Sequence, residues 1–245
     1  MASTSARLGF AALLALLAAS PYPVVAMDDM EPFWRVDLMA ERRFHHRSPA
    51  WEWKAKAWYG NDYHKLRVEH SGVLEDSGKI DKEGGTKGID SRLFYSRLIS
   101  DFWDAKAGVQ FTAFSPTERR GAFMAGVEGL APYGFHVDAV ASVTASGVVM
   151  ARVEVGYDIL FSQQLILTPF VEAVAATRDD PAIDLGSGLS RFELGLRLRY
   201  EIAKEFAPYI GVSYEQFTGN TASFVASDGD PTSKLRILVG LKTWF

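Results

Sequence analysis

A period of two runs through most of this chain and constrains it more than any other feature. In Phe192-Glu193-Leu194-Gly195-Leu196-Arg197-Leu198-Arg199-Tyr200-Glu201, apolar residues alternate with glycine or charged ones. Ala151 to Asp158 and Leu235 to Lys242 follow the same rule. Successive side chains of a strand point to opposite faces, so such segments are strands with one apolar and one polar face. About twelve are expected, at 33–42, 51–59, 64–71, 90–99, 102–112, 119–129, 133–143, 147–159, 164–177, 189–202, 206–217 and 234–245.

The connections decide between a soluble sandwich and a membrane barrel. After even strands they are short: Gly60 to Tyr63, Ser100-Asp101, Leu130 to Pro132, Ser162-Gln163, Ala203 to Glu205. After odd strands most are long and polar, as in Gly72 to Ile89, Asp179 to Gly188 and Gly219 to Ser233; Ser146-Gly147 is a tight exception. Short turns at one end, long loops at the other and an even strand number describe an outer-membrane barrel. Lipid cannot satisfy a free sheet edge, so the sheet must close. The expected fold is all-β: a closed antiparallel up-and-down transmembrane β-barrel of about 12 strands. Trp34, Trp51, Trp53, Trp58, Tyr59, Phe102, Trp103, Tyr133, Tyr209, Trp244 and Phe245 lie near strand ends and suit interfacial girdles. The final Phe245 resembles the sorting signal of such barrels. Pro169 interrupts a doubly paired strand, which predicts a bulge or register break.

Residues 1–26 read as a cleaved secretory signal. Arg7 is followed by the apolar run Leu8 to Ala19, which is shorter than the about 20 residues a spanning helix needs. Pro21 and Pro23 break the run, and Val24-Val25-Ala26 fits a cleavage site. Residues 27–32 then form a short periplasmic segment and 33–245 the barrel, with both termini periplasmic. The chain has no cysteine, which excludes disulfides, thiolate metal sites and thiol catalysis. Its net charge of −4 gives no basic field for nucleic acid. No nucleophile is tied to a histidine by a motif, and no phosphate loop or His-Glu-x-x-His occurs, so no enzyme is expected.

Several segments together carry a family resemblance. They are Ala57-Trp58-Tyr59-Gly60-Asn61-Asp62-Tyr63, Tyr95 to Ser100, Phe102-Trp103-Asp104, Gly129-Leu130-Ala131-Pro132-Tyr133, Glu193 to Ile202 and Phe206 to Tyr214. Over roughly residues 50–245 the chain resembles the copper resistance protein B family of Gram-negative bacteria. The resemblance implies an outer-membrane protein of copper tolerance that binds copper ions or passes them across the membrane. It also implies a periplasmic multicopper oxidase as partner. Members often carry a long Met- and His-rich segment before the barrel; here only Met27 and Met30 stand between Ala26 and Phe33. A non-selective narrow channel and a structural barrel that docks the oxidase are the alternatives.

Setting apolar residues toward lipid turns Asp104, Lys106, Glu128, His136, Asp138, Arg152, Glu154, Asp158, Glu172, Glu193, Arg197, Arg199, Glu201, Glu215, Arg236 and Lys242 inward. Those charges either pair and plug a narrow lumen or form a polar path. Thioethers favour Cu(I), and imidazole takes either copper oxidation state. A turn centred near Pro132 would set Met124 opposite Val140 and Glu128 opposite His136. A turn near Ala145 would set Val140 opposite Met150 and Asp138 opposite Arg152. Met124 and Met150 would then share one level, with His136, Asp138, Glu128 and Glu154 a layer below and Met39 also inward. Met27 and Met30 beside Asp28 and Asp29 form a weaker candidate, as does the loop pair His45-His46. His64 and His70 show no partner by spacing, and Asp228-Gly229-Asp230 reads as a solvated loop.

Overall fold

The computed structural model describes residues 31–45, 49–78, 80, 82 and 84–245. The expected signal peptide 1–26, Met27, Met30 and His46 lie outside the described residues. Twelve strands follow one another: β1 Phe33–Phe44, β2 Ala50–Gly60, β3 His64–Glu75, β4 Ile89–Ser100, β5 Trp103–Ala113 and β6 Arg119–Ala131. Then come β7 Phe135–Thr144, β8 Val149–Tyr157, β9 Leu165–Ala176, β10 Gly188–Tyr200, β11 Phe206–Phe217 and β12 Ser233–Trp244. Each pairs antiparallel with its sequence neighbours, and β12 returns to β1, so the sheet has no edge. The last residue takes part in the seam: Phe245 and Val36 exchange backbone hydrogen bonds of 2.9 and 3.0 Å.

The alternation has the sense expected of a barrel in lipid. Leu194, Leu196, Ile210, Val212, Leu235, Ile237 and Val239 cover the outside of β10–β12 and are exposed. Glu41, Arg43, Glu172, Arg191, Glu193, Glu215 and Arg236 are buried within. A water-soluble fold would reverse this. Exposed aromatics ring both ends: Trp34, Tyr59, Phe102 and Tyr133 at the turn end, Phe44, Trp51, Phe111 and Phe123 at the loop end. Trp58 and Tyr209, expected in those rings, face the lumen instead. Trp58 lines its interior. Tyr209 is buried there, opposite Gly240, where a Cβ would stand 2.3 Å from its ring. Gly195 admits the Phe170 ring in the same way, with a Cβ again at 2.3 Å. The rule that sets apolar residues toward lipid fails for Tyr209 and Phe170 because a facing glycine opens room for them inside.

Pro169 produces no register break. Its partners continue in step, Thr168 with Arg197 and Phe170 with Gly195. Its missing N–H falls on the β8 side, where pairing lapses at Asp158 and resumes in the same register at Ile159–Leu160. The Asp158 carboxylate accepts hydrogen bonds from Thr168 (2.6 Å) and Arg199 (2.8 Å). The bulge in β9 sits further on, between Val174 and Ala175.

Two hairpin registers also differ from expectation. Tyr133 (φ 68°) and Gly134 (φ 88°) make the β6–β7 turn, moving its centre one residue along. Met124 therefore faces Ser142 and Glu128 faces Asp138, two residues from the expected partners. In the β7–β8 hairpin Ser142 faces Met150 and Asp138 faces Glu154. A slip of two leaves each side chain on its expected face.

The last long connection, expected as a loop, contains a helix, α1 (Gly219–Ser227). It lies across the loop end with Thr221 and Val225 buried. The Thr221 hydroxyl accepts a hydrogen bond from the Gly186 N–H at 2.8 Å, tying it to the β9–β10 connection. Gly84, at φ 60°, brings the β3–β4 loop against Thr221 and Phe217.

Candidate functional site

The lumen has two halves. The loop half is filled. Arg43 binds Glu41 (3.1 Å), Glu52 (2.9 Å) and Glu193 (2.7 Å). Arg191 bonds to Glu172, to Glu193 at 3.3 Å and to Glu215 at 2.9 Å; Arg236 also reaches Glu215 at 2.9 Å. Lys87 descends from the β3–β4 loop to Glu193 at 3.3 Å. Buried ions persist only with such partners, so the network is a packed plug of opposite charges. Ile183 and Leu185 of the β9–β10 connection lie above it in an apolar cluster with Phe114, Val148 and Ala176.

Lys82 and Asp179 fasten the loops over this plug. Lys82 pairs with Asp184 and, at 3.4 Å, with Asp228. Burial works against the Lys82 charge, but the hydrogen bond and charge of Asp184 outweigh it and raise the ammonium above its usual range. The hydrogen bond from the Ser187 N–H, followed by that from Asn220, lowers the Asp179 carboxyl. Asp228 thus serves as an ion-pair partner rather than as part of a free acidic loop.

The turn half holds a chamber of about 610 Å³. Met39, Glu128, Glu154 and His136 line it together. His136 is exposed to this space and makes no hydrogen bond or ion pair among the described residues. The expected pairing with Glu128 is absent because Glu128 accepts from Lys106 (3.0 Å) and pairs with Arg67 (2.7 Å). Lys106 also binds Asp138 at 2.7 Å, so both carboxylates are already engaged.

Met124 and Met150 share a level through Ser142, but the structure does not bring their sulfurs together. Met124, 1% exposed, packs with Phe94 and Val140. Met150 packs against the Phe114–Leu185 cluster. Among the described residues no three His, Asp or Glu side chains converge to hold a metal ion. His64 and His70, expected without partners, have them: His64 stacks on Tyr95 with centroids 5.9 Å apart, and His70 bonds to Ser91 at 3.0 Å. Arg35, Lys54, Lys56 and Arg67 also line the chamber and were not among the expected inward residues. The parity that turned Met39 inward, extended along β1 to β3, is the signal that finds them.

A profile described as copper resistance protein B precursor (CopB) matches residues 33–245, the whole barrel. The chain belongs to the copper resistance protein B family. A copper resistance protein B from Escherichia coli is 34% identical over 193 residues, covering 79% of this chain and 62% of that protein. A copper resistance protein B homolog from Pseudomonas syringae pv. tomato is also 34% identical over 193 residues, covering 63% of its length. The chain thus spans about three-fifths of the curated relatives it matches. Among solved structures, the NanC porin superposes with a TM-score of 0.54 at 14% identity, over 85% of this chain and 98% of that one. The KdgM porin gives 0.50 at 8% identity, over 84% and 98%. At those identities the likeness is one of fold, and the fold is that of outer-membrane porin barrels. In this family member the porin-like wall encloses a lumen plugged at one end and hollow at the other.

Proposed function

We propose that this protein serves copper tolerance in the outer membrane by taking copper ions, as cargo, into the chamber at the turn end. That end would face the periplasm, with both termini on the same side. The observation that carries the reading is the chamber itself, which brings a thioether (Met39), an imidazole with no hydrogen bond among the described residues (His136) and a carboxylate (Glu154) to one space. Such mixed donors suit weak, exchangeable copper binding rather than a permanent centre. Met124, Met150, Glu128 and Asp138 would join only after local rearrangement, because they are packed or already paired. The sealed loop half favours capture at the periplasmic face over free conduction, and so argues against the non-selective channel. A periplasmic multicopper oxidase would be the partner that receives or supplies the ion.

The test is titration of the refolded chain with Cu(I) and Cu(II). Binding to the wild type that falls in His136→Ala and Met39→Ala, and stays unchanged in Met124→Ala, is the expected outcome. Loss in Met124→Ala or Met150→Ala alone would move the site to the packed sulfurs. A folded wild type that binds no copper would end the copper-capture reading and leave a barrel that docks a partner.

A further inference from the structure

The charges around the chamber are sorted. Among the described residues that line it, seven are Lys or Arg and three are Asp or Glu. The whole chain carries a net charge of −4, so this excess is local and not a reflection of composition. Six of the cations stand on one arc of wall running from β10 through β12 and β1 to β2: Arg197, Arg199, Lys242, Arg35, Lys54 and Lys56. Asp37 is the single lining acid on that arc; Glu128 and Glu154 stand across the chamber on β6 and β8.

Three of the acids that balance the arc are buried. Arg197 rests on Glu41 at 3.1 Å, Lys54 on Glu52 at 3.3 Å and Lys56 on Glu69 at 3.6 Å, and all three glutamates are buried inside the lumen. Aromatic rings fix two of the guanidiniums. Arg197 lies 4.0 Å from the Phe170 centroid and Arg35 lies 4.4 Å from that of Trp244. Lys242 is exposed to the chamber and has no hydrogen bond or ion pair among the described residues. Arg35 is paired with Asp37 at 2.9 Å and Arg199 with Asp158 at 2.8 Å, so five of the six cations are held by acids and Lys242 is the ammonium left to make a new charge-assisted contact in a chamber whose lining keeps an excess of cations.

We infer that this arc is a binding site for a small multivalent anion bearing several carboxylate or phosphate oxygens. Lys242 would supply the free charge-assisted contact, and Arg35, Lys56 and Arg199 would surround it. The site shares the chamber with the copper reading, whose Met39 is the cross-strand neighbour of Lys242 and Lys54, while His136 stands on β7 away from the arc.

Calorimetric titration of the full chain in detergent micelles, with citrate and with inorganic phosphate as separate probes, tests this. Saturable binding of at least one probe is expected, weakening as sodium chloride is raised. Lys242→Gln should weaken it about tenfold, the size of one charge-assisted hydrogen bond. Lys204→Gln, a charge change on the exposed β10–β11 turn outside the chamber lining, should leave it unchanged, and so should His136→Ala. Citrate binding alone would assign carboxylates, phosphate binding alone would assign phosphates, and binding of both would assign multivalent anions in general. Binding of neither, or equal binding by wild type and Lys242→Gln, would overturn the proposal. Lys242 makes no hydrogen bond or ion pair among the described residues, so its loss should not threaten folding; Lys56→Gln/Lys242→Gln should reduce binding further.

Discussion

The two halves of the lumen are built from the same residue types and do different things with them. In the loop half, Arg43, Arg191, Arg236 and Lys87 each meet acids directly, and the space is filled. In the turn half, Arg35, Arg197 and Lys54 also have acids, yet an open chamber remains and Lys242 has no ion pair among the described residues. A charged lumen is therefore neither a pore nor a plug by composition. What decides is whether loops descend onto it. Three connections close over the loop half, while the turns at the other end are too short to reach inward.

The largest expected effect of breaking this contrast is on stability. Arg191→Met would leave Glu172, Glu193 and Glu215 without their shared counter-charge and should cost roughly 3–5 kcal/mol in urea unfolding from micelles. Lys242→Gln should change the same measurement by less than about 0.5 kcal/mol. Equal costs would mean that the two halves are not energetically distinct. Next comes conduction: replacing 219–227 with a short Gly-Ser linker should raise single-channel conductance several-fold in planar bilayers. An unchanged conductance would show that the charge network, not the loop cover, is the barrier.

The smallest effect is on pH dependence. The Asp179 carboxyl is lowered in the folded protein, so its contribution is present above the ordinary carboxylate value of about 3.9 and is lost as pH falls through the lower folded value. The loop cover should thus loosen only in acid, seen as faster amide exchange at Ser187. Asp179→Asn should show the faster exchange already at neutral pH; if its pH profile matches the wild type, Asp179 does not fasten the cover.

Much of the barrel was legible because a strand's period of two is local and survives any choice of partner. Strand number, the parity of short and long connections, and the inward face of His136, Lys106, Arg197 and Lys242 all follow from it. The candidate site was less legible. Met124 and Met150 were rightly set on one level, but level does not say what surrounds a sulfur, and Phe94 and Leu185 come from distant strands and loops. The Glu128–His136 pairing failed through a turn whose left-handed Tyr133 no residue-type rule anticipates.

By itself, then, the sequence determined a closed antiparallel barrel with polar residues inside and its family membership, since both rest on patterns carried along the chain. Only the tertiary structure decided the register of the hairpins, the helix across the loop end and the division of the lumen into plug and chamber. The physical reason is range: Arg43 meets Glu193 across 150 residues of chain, and no local periodicity encodes which inward charge meets which.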